Sequence, residues 1–267
     1  MSTSGGRLYF ETAGRGPAIV FIHGGQMDRR MWDHQFTAYA KRYKAIRYDV
    51  RGFGRTGLPT KGYSDVEDLL GLLNHLKVNR VSIVGLSLGG RIALDFVLAH
   101  PDRVESLVLA DPGLSGWNWS ADQSTLGEAR FRAARDEGTK KSAEMWLADP
   151  YMVPAMEKPA ISKRIREIVM ANASGELANP FLNRDLDLRS IDHLAEIHAP
   201  SLILIGDRDV PDIQKIVDTL AAGIKGSRKE VIKDSGHITN MEQPEQFDRF
   251  VLEFIDRLHS GGSAAGV

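Results

Sequence analysis

Apolar residues occupy consecutive positions in four short runs: AIVFIHGG from residue 18, VSIVGLS from 81, VESLVLAD from 104 and SLILIGDRD from 201. Short runs of apolar and β-branched residues without polar alternation mark strands covered on both faces. A fifth run, YKAIRYDVRGFG from residue 43, is less apolar and ends in a glycine-rich loop. Between these runs the apolar positions take the helical period, over residues 65–76, 88–100, 213–222 and 244–258. A short KEVIK run before the last helix reads as one more strand. Strand and helix in alternation predict an α/β fold, a mostly parallel central sheet flanked by helices.

From residue 112 to about 197 the alternation fails. TLGEARFRAARDEG, KKSAEMWLAD and AISKRIREIVMANA each have amphipathic helical spacing, and no convincing strand separates them. The expected organisation is therefore a single α/β core, residues 1–111 and 198–259, with a helical cap inserted at residues 112–197. The closing SGGSAAGV, residues 260–267, has no hydrophobic face and reads as a disordered tail.

Charge and inventory remove several functions. The 34 basic and 35 acidic residues give a net charge of −1, which leaves no electrostatic excess for a nucleic acid or an anionic membrane surface. With no cysteine in the chain, disulfides, thiolate metal sites and cysteine nucleophiles are excluded. No secretory signal pattern opens the chain and no run of about 18 apolar residues occurs, so a cytoplasmic protein is expected. The sequence does not set the oligomeric state.

The chemistry gathers at the carboxyl ends of the predicted strands. Ser87 lies in Gly85-Leu86-Ser87-Leu88-Gly89, where an apolar strand gives way to a helix. A serine on so sharp a turn projects its hydroxyl out of the sheet, and glycines two residues to either side let the backbone pack closely enough to make it. The plainer alternative is a serine N-cap for an ordinary helix. The amide of Leu88 is expected to be one oxyanion donor, since it opens that helix. The loop His23-Gly24-Gly25-Gln26 follows the first core strand; Gly25 is expected to supply the second donor, with Gln26 as the other candidate.

A serine hydroxyl needs a base. Of eight histidines, His34, His75, His193 and His198 fall on or near helical patterns, His100 at a helix end, and His259 close to the tail. His23 suits a loop-shaping role. His237 lies in a loop between the KEVIK strand and the last helix, on the same sheet edge as the Ser87 turn. The acid must follow another strand; Asp209 is positioned to curl back over the sheet, Asp207 to serve its own loop, and Asp111 is the runner-up.

The order Ser87, Asp209, His237, each after a strand and with HGG upstream, resembles the α/β-hydrolase superfamily over nearly the whole chain. DVRGFGRT from residue 49, LAHPDRVESLVLADP from 98 and SGHITNMEQPEQF from 235 look like that superfamily's scaffold segments. The resemblance implies a catalytic triad and no metal or organic cofactor. Serine at position 87 departs from epoxide hydrolases and haloalkane dehalogenases, which carry aspartate there. HGGQM departs from the HGGPG of proline iminopeptidases, and the additional lysine of hydroxynitrile lyases has no clear counterpart.

The expected activity is that of a carboxylesterase on small to medium apolar esters, through an acyl-enzyme. Trp117, Trp146, Met145 and Phe181 in the cap are expected to line an apolar substrate pocket; the cap arginines, Arg130 among them, read as solvated helix faces. The same triad would serve a carbon–carbon bond hydrolase or a lactonase, given polar cap contacts that the sequence does not identify. A non-catalytic ligand receptor on the same fold is the remaining alternative.

Overall fold

The computed structural model describes residues 1–3, 6–174, 182–187 and 189–261. In chain order the elements are β1 (Ser2–Thr3), β2 (Gly6–Arg7), β3 (Phe10–Ala13), β4 (Ala18–Ile22), α1 (Asp33–Tyr39), β5 (Lys44–Tyr48), α2 (Asp65–His75), β6 (Val81–Leu86), α3 (Leu88–Ala99) and β7 (Val104–Ala110). Four helices follow, α4 (Ala121–Asp136), α5 (Thr139–Leu147), α6 (Val153–Met156) and α7 (Pro159–Ala171). The chain then returns to β8 (Ser201–Gly206), α8 (Pro211–Gly223), β9 (Arg228–Ile232), α9 (Thr239–Glu242) and α10 (Pro244–Gly261).

Seven strands form one sheet in the order β3-β5-β4-β6-β7-β8-β9. Only β3 is antiparallel, paired with β5; every other neighbouring pair is parallel. The consecutive apolar runs are explained by burial: β4, β6 and β8 are buried along their whole length, because helices cover both faces of a parallel sheet. After β4 the chain moves outward to β5 and then crosses back to place β6 on the other side of β4. That reversal opens a crevice at the carboxyl ends of β4 and β6, where open α/β sheets bind ligands.

β3 carried no strand signal in the sequence. It is a short edge strand whose four residues are all partly exposed, so neither a continuous apolar run nor a clean alternation marks it. The helices α4 to α7 occupy the stretch between β7 and β8 where alternation was lost. Asn172, the C-cap of α7, ties this stretch to the core: its side-chain amide donates to Asp28 at 2.8 Å, and its carbonyl accepts from the Gly54 amide at 2.6 Å. The last helix continues to Gly261, two residues into the expected tail, and residues 262–267 lie outside the described part. No helix among the described residues is long and apolar enough to cross a membrane.

The scaffold segments have structural employment. Asp49 accepts from the backbone amides of Arg29 at 2.9 Å and Arg55 at 2.8 Å, which fixes the glycine-rich loop after β5. Arg51 forms a buried ion pair with Asp68 of α2 at 2.5 Å. His23 sits in the core with one ring nitrogen 2.8 Å from the Gly24 carbonyl and the other accepting from the Val50 amide at 2.9 Å. Those two bonds call for the neutral ring, and burial lowers its pKa accordingly.

Candidate active site

Ser87 has φ 54° and ψ −112°, a left-handed conformation that L side chains rarely adopt. It is held between β7 and its own helix: its amide donates to the Ala110 carbonyl at 3.0 Å, and its carbonyl accepts from Gly113 at 2.9 Å and Arg91 at 3.1 Å. Its hydroxyl caps no backbone amide, so the plain N-cap alternative does not describe it. The flanking glycines are required by close approach. A Cβ on Gly85 would lie 2.3 Å from the Gly89 carbonyl oxygen, and one on Gly89 would lie 2.1 Å from that of Ile22.

Asp209 and His237 come together at the ends of β8 and β9. His237 Nδ1 lies 2.8 Å from Asp209 Oδ2, with both side chains buried. The other Asp209 oxygen accepts from the Val210 amide at 2.7 Å. Asp207, as expected, serves its own loop by accepting from the Ser235 amide at 3.2 Å. The Tyr151 ring packs on His237 with centroids 4.6 Å apart and planes tilted by 57°. Burial, together with the negative charge of Asp209, raises the Tyr151 phenol well above its usual range, so it is neutral at ordinary pH.

The runner-up acid, Asp111, is also here. Asp111, Asp209 and His237 present donor atoms within 4.8 Å of one another, all buried. Hydrogen bonds satisfy this cluster: Asp111 Oδ1 accepts from the Gly206 amide at 2.8 Å and Oδ2 from the Thr239 hydroxyl at 2.6 Å.

A cavity of about 310 Å³ joins the core residues to the inserted helices. Ser87, His237 and Tyr151 line it together with Trp119, Gln123, Ser124, Arg130 and Trp146. Gly25 and Leu88 flank this edge, one after β4 and one opening α3. The Leu88 amide belongs to the first turn of α3, where no intrahelical acceptor exists. Around the Gly25 Cα there is open space, with nothing within 4 Å of an added Cβ.

The lining differs from the apolar set read from the sequence. Trp146 is part of it. Trp117 is not, because it sits in the turn after β7 and packs against the core. Met145 is not, because it precedes Trp146 on α5 and so points about 100° away. Phe181 lies outside the described residues. Arg130, expected on a solvated face, is largely buried: it pairs with Asp149 and stacks over Trp146 at 4.5 Å. Gln123 and Arg130 are seven residues apart on α4, a spacing that puts them on one face. That was the only signal available; nothing in the sequence around Tyr151 marks it.

The fold belongs to a recognised class. A match to the alpha/beta hydrolase family spans residues 19–250, and the chain belongs to that family. Its relatives include the 2-hydroxy-6-oxononadienedioate/2-hydroxy-6-oxononatrienedioate hydrolase of Burkholderia vietnamiensis, 29% identical over 94% of this chain and 91% of the relative. A thermophilic esterase from Thermogutta terrifontis, solved with malate bound, superposes with a TM-score of 0.82 at 28% identity, covering 94% of each chain. The enol-lactonase of Burkholderia xenovorans LB400 superposes at 0.80 with 27% identity, covering 93% of this chain and 96% of that one. The class is hydrolase; the three proteins named differ in substrate, an ester, an enol-lactone and a dienedioate.

Proposed function

We propose that this protein is a serine hydrolase that cleaves carboxylic esters through an acyl-enzyme on Ser87. His237 removes the Ser87 proton as the oxygen attacks the carbonyl carbon, and Asp209 holds the imidazole in the tautomer whose Nε2 accepts that proton. The negative oxygen that develops is met by the amides of Leu88 and Gly25. His237 then gives the proton to the leaving alcohol, takes one from the water that attacks the acyl carbon, and passes it to the Ser87 oxygen as the acid is released. The chemistry calls for no metal or organic cofactor.

One observation carries the reading: the buried 2.8 Å bond between His237 and Asp209, at the head of a cavity that Ser87 shares. The helices α4 to α7 act as the cap, and Trp119, Trp146 and Tyr151 offer aromatic surface to a small or medium acyl group. Hydrolysis of p-nitrophenyl esters from acetate to decanoate tests it. The wild type turns over the shorter esters, and Ser87→Ala loses about 10³-fold or more in kcat. Equal activity in the two proteins, or none in either, removes the esterase reading.

A second reading has its own support. Arg130 Nε and Trp146 Nε1 are buried without hydrogen-bond partners, and both residues line the cavity. Two orphaned donors suit a substrate that carries a second carbonyl or a carboxylate, as a dienedioate or a carboxylated lactone does. Arg130→Met separates the two: it leaves neutral esters within about threefold but costs a carboxylated ester about tenfold or more in KM. Equal effects on both substrates leave the apolar-ester reading alone.

A further inference from the structure

Asp111 differs from several buried acids of this protein, which have a cation beside them. Asp68 has Arg51, Asp149 has Arg130, and Asp65 and Asp95 share Arg91. Asp111 is fully buried, and its charged neighbour is another acid, Asp209. Its backbone has φ 44°, a left-handed conformation that aspartate and asparagine tolerate better than most residues. The backbone is anchored by its amide, which donates to the Leu204 carbonyl at 2.9 Å.

We propose that Asp111 is a positioning residue: its carboxyl and that of Asp209 hold one proton between them, and the resulting bond aims Asp209 at His237. This rests on the triad proposed above. Two buried carboxylates whose oxygens lie within 4.8 Å of one another repel strongly if both are ionised. Burial and the neighbouring Asp209 charge raise the Asp111 carboxyl well above the usual range, in the same direction.

The geometry gives the shared proton a use. One Asp111 oxygen accepts from Gly206 at the end of β8, and the other from Thr239, two residues beyond His237. A single side chain after β7 thus ties the loop that carries the acid to the loop that carries the base. With its own proton directed to Asp209, it also lowers the charge density that His237 meets at Nδ1. Asp209 is then held by a donor on one side and by the His237 imidazole on the other, which fixes its aim.

Other charged groups border the cluster and are already engaged. Glu242 accepts from the Gly236 and Ile238 amides at 2.9 and 3.0 Å and has Lys158 3.8 Å away. Asp149 pairs with Arg130, and Asp212 accepts from the Ser120 hydroxyl at 2.6 Å. Tyr151 stays neutral against the face of His237. Each of these keeps its partner when Asp111 is changed.

The test compares Asp111→Asn with Asp111→Gly, two residues that the left-handed backbone accepts, and follows both kcat/KM and the His237 imidazole by NMR against pH. The amide of Asn can donate to Asp209 as a protonated carboxyl does, so His237 in Asp111→Asn titrates within about 0.5 unit of wild type and kcat stays within about tenfold. Glycine offers no donor. In Asp111→Gly His237 titrates about 1 unit higher, since Asp209 now carries its charge undiluted, and kcat falls about 10²-fold as the acid loses its aim.

An Asp111→Asn protein that loses about 10³-fold or more in kcat would show Asp111 ionised and acting as the acid itself, which overturns the proposal. An unchanged His237 titration in Asp111→Gly, with lowered stability alone, reduces Asp111 to a packing residue and overturns it equally. The titration needs no substrate. Activity surviving in Ser87→Ala therefore defeats the esterase reading separately from the proton shared by Asp111 and Asp209.

Discussion

Replacing Gly89 by alanine tests the Ser87 turn without removing any group that reacts. The added carbon would lie 2.1 Å from the Ile22 carbonyl oxygen, 2.6 Å from its carbon and 3.0 Å from the His23 carbonyl oxygen. All three obstacles are backbone of β4 or of the loop that follows it, so no side-chain rotation relieves them. Carbon and oxygen settle at about 3.3 Å, which requires α3 and β4 to part by about 1 Å. An insertion of this kind costs about 3 kcal/mol, the upper end for overpacking, because backbone must move. For a chain of this size that lowers Tm by about 6 °C. The same displacement shifts Leu88 relative to Gly25, and about 1 Å of misplacement costs about 10²-fold in rate. Gly25→Ala is the matched control: with open space around its Cα, Tm changes by no more than about 1 °C. Calorimetry and ester hydrolysis on both variants decide the matter. A Gly89→Ala protein that melts within about 1 °C of wild type with undiminished kcat refutes the close-approach explanation of the motif.

The remaining expectations concern stability. Asp68→Ala leaves the buried Arg51 guanidinium without its carboxylate, at a cost of about 3–5 kcal/mol in urea unfolding; a loss under about 1 kcal/mol would make the pair dispensable. Burial alone would raise the Asp28 carboxyl, but Arg30 and Asn172 hold it at about 2. A depressed carboxylate stabilises the fold fully above the ordinary value of 3.8 and loses that contribution as pH falls through about 2. The amount is on the order of 2 kcal/mol, so Asp28→Asn lowers the unfolding free energy by that much at neutral pH. It also flattens the dependence between pH 4 and 2; an unchanged acid slope would place the sensitive carboxylate elsewhere.

The strands buried on both faces were legible because a parallel sheet turns burial into an unbroken apolar run, as in β4, β6, β7 and β8. β3 was not, since an exposed edge strand has no such constraint. Ser87 was legible through local mechanics, because the turn demands glycine at 85 and 89 within the same five residues. His237 and Asp209 could be placed from strand ends, because side chains at the carboxyl edge of one sheet share a neighbourhood. The cavity lining resisted reading for a different reason. Trp117, Trp119 and Trp146 are chemically alike, and only tertiary packing brings the last two to the cavity and leaves the first out of it. Arg130 carries the composition of a surface residue and is buried by Asp149, nineteen positions away, a pairing no periodicity encodes. Asp111 could be nominated as an acid, but its relation to Asp209 requires the register of β7 beside β8.

The wide spacing of Ser87, Asp209 and His237 along the chain has a consequence during synthesis. Ser87 and the strands around it emerge 150 residues before His237, a lag on the order of ten seconds at ordinary translation rates. In that interval the growing polypeptide holds the serine turn without Asp209 and His237 beside it. It also presents β7, nearly all buried in the finished fold, as an unpaired sheet edge. The growing chain is thus open at that edge until β8 and β9 arrive, and their arrival both closes the sheet and brings Asp209 and His237 to it.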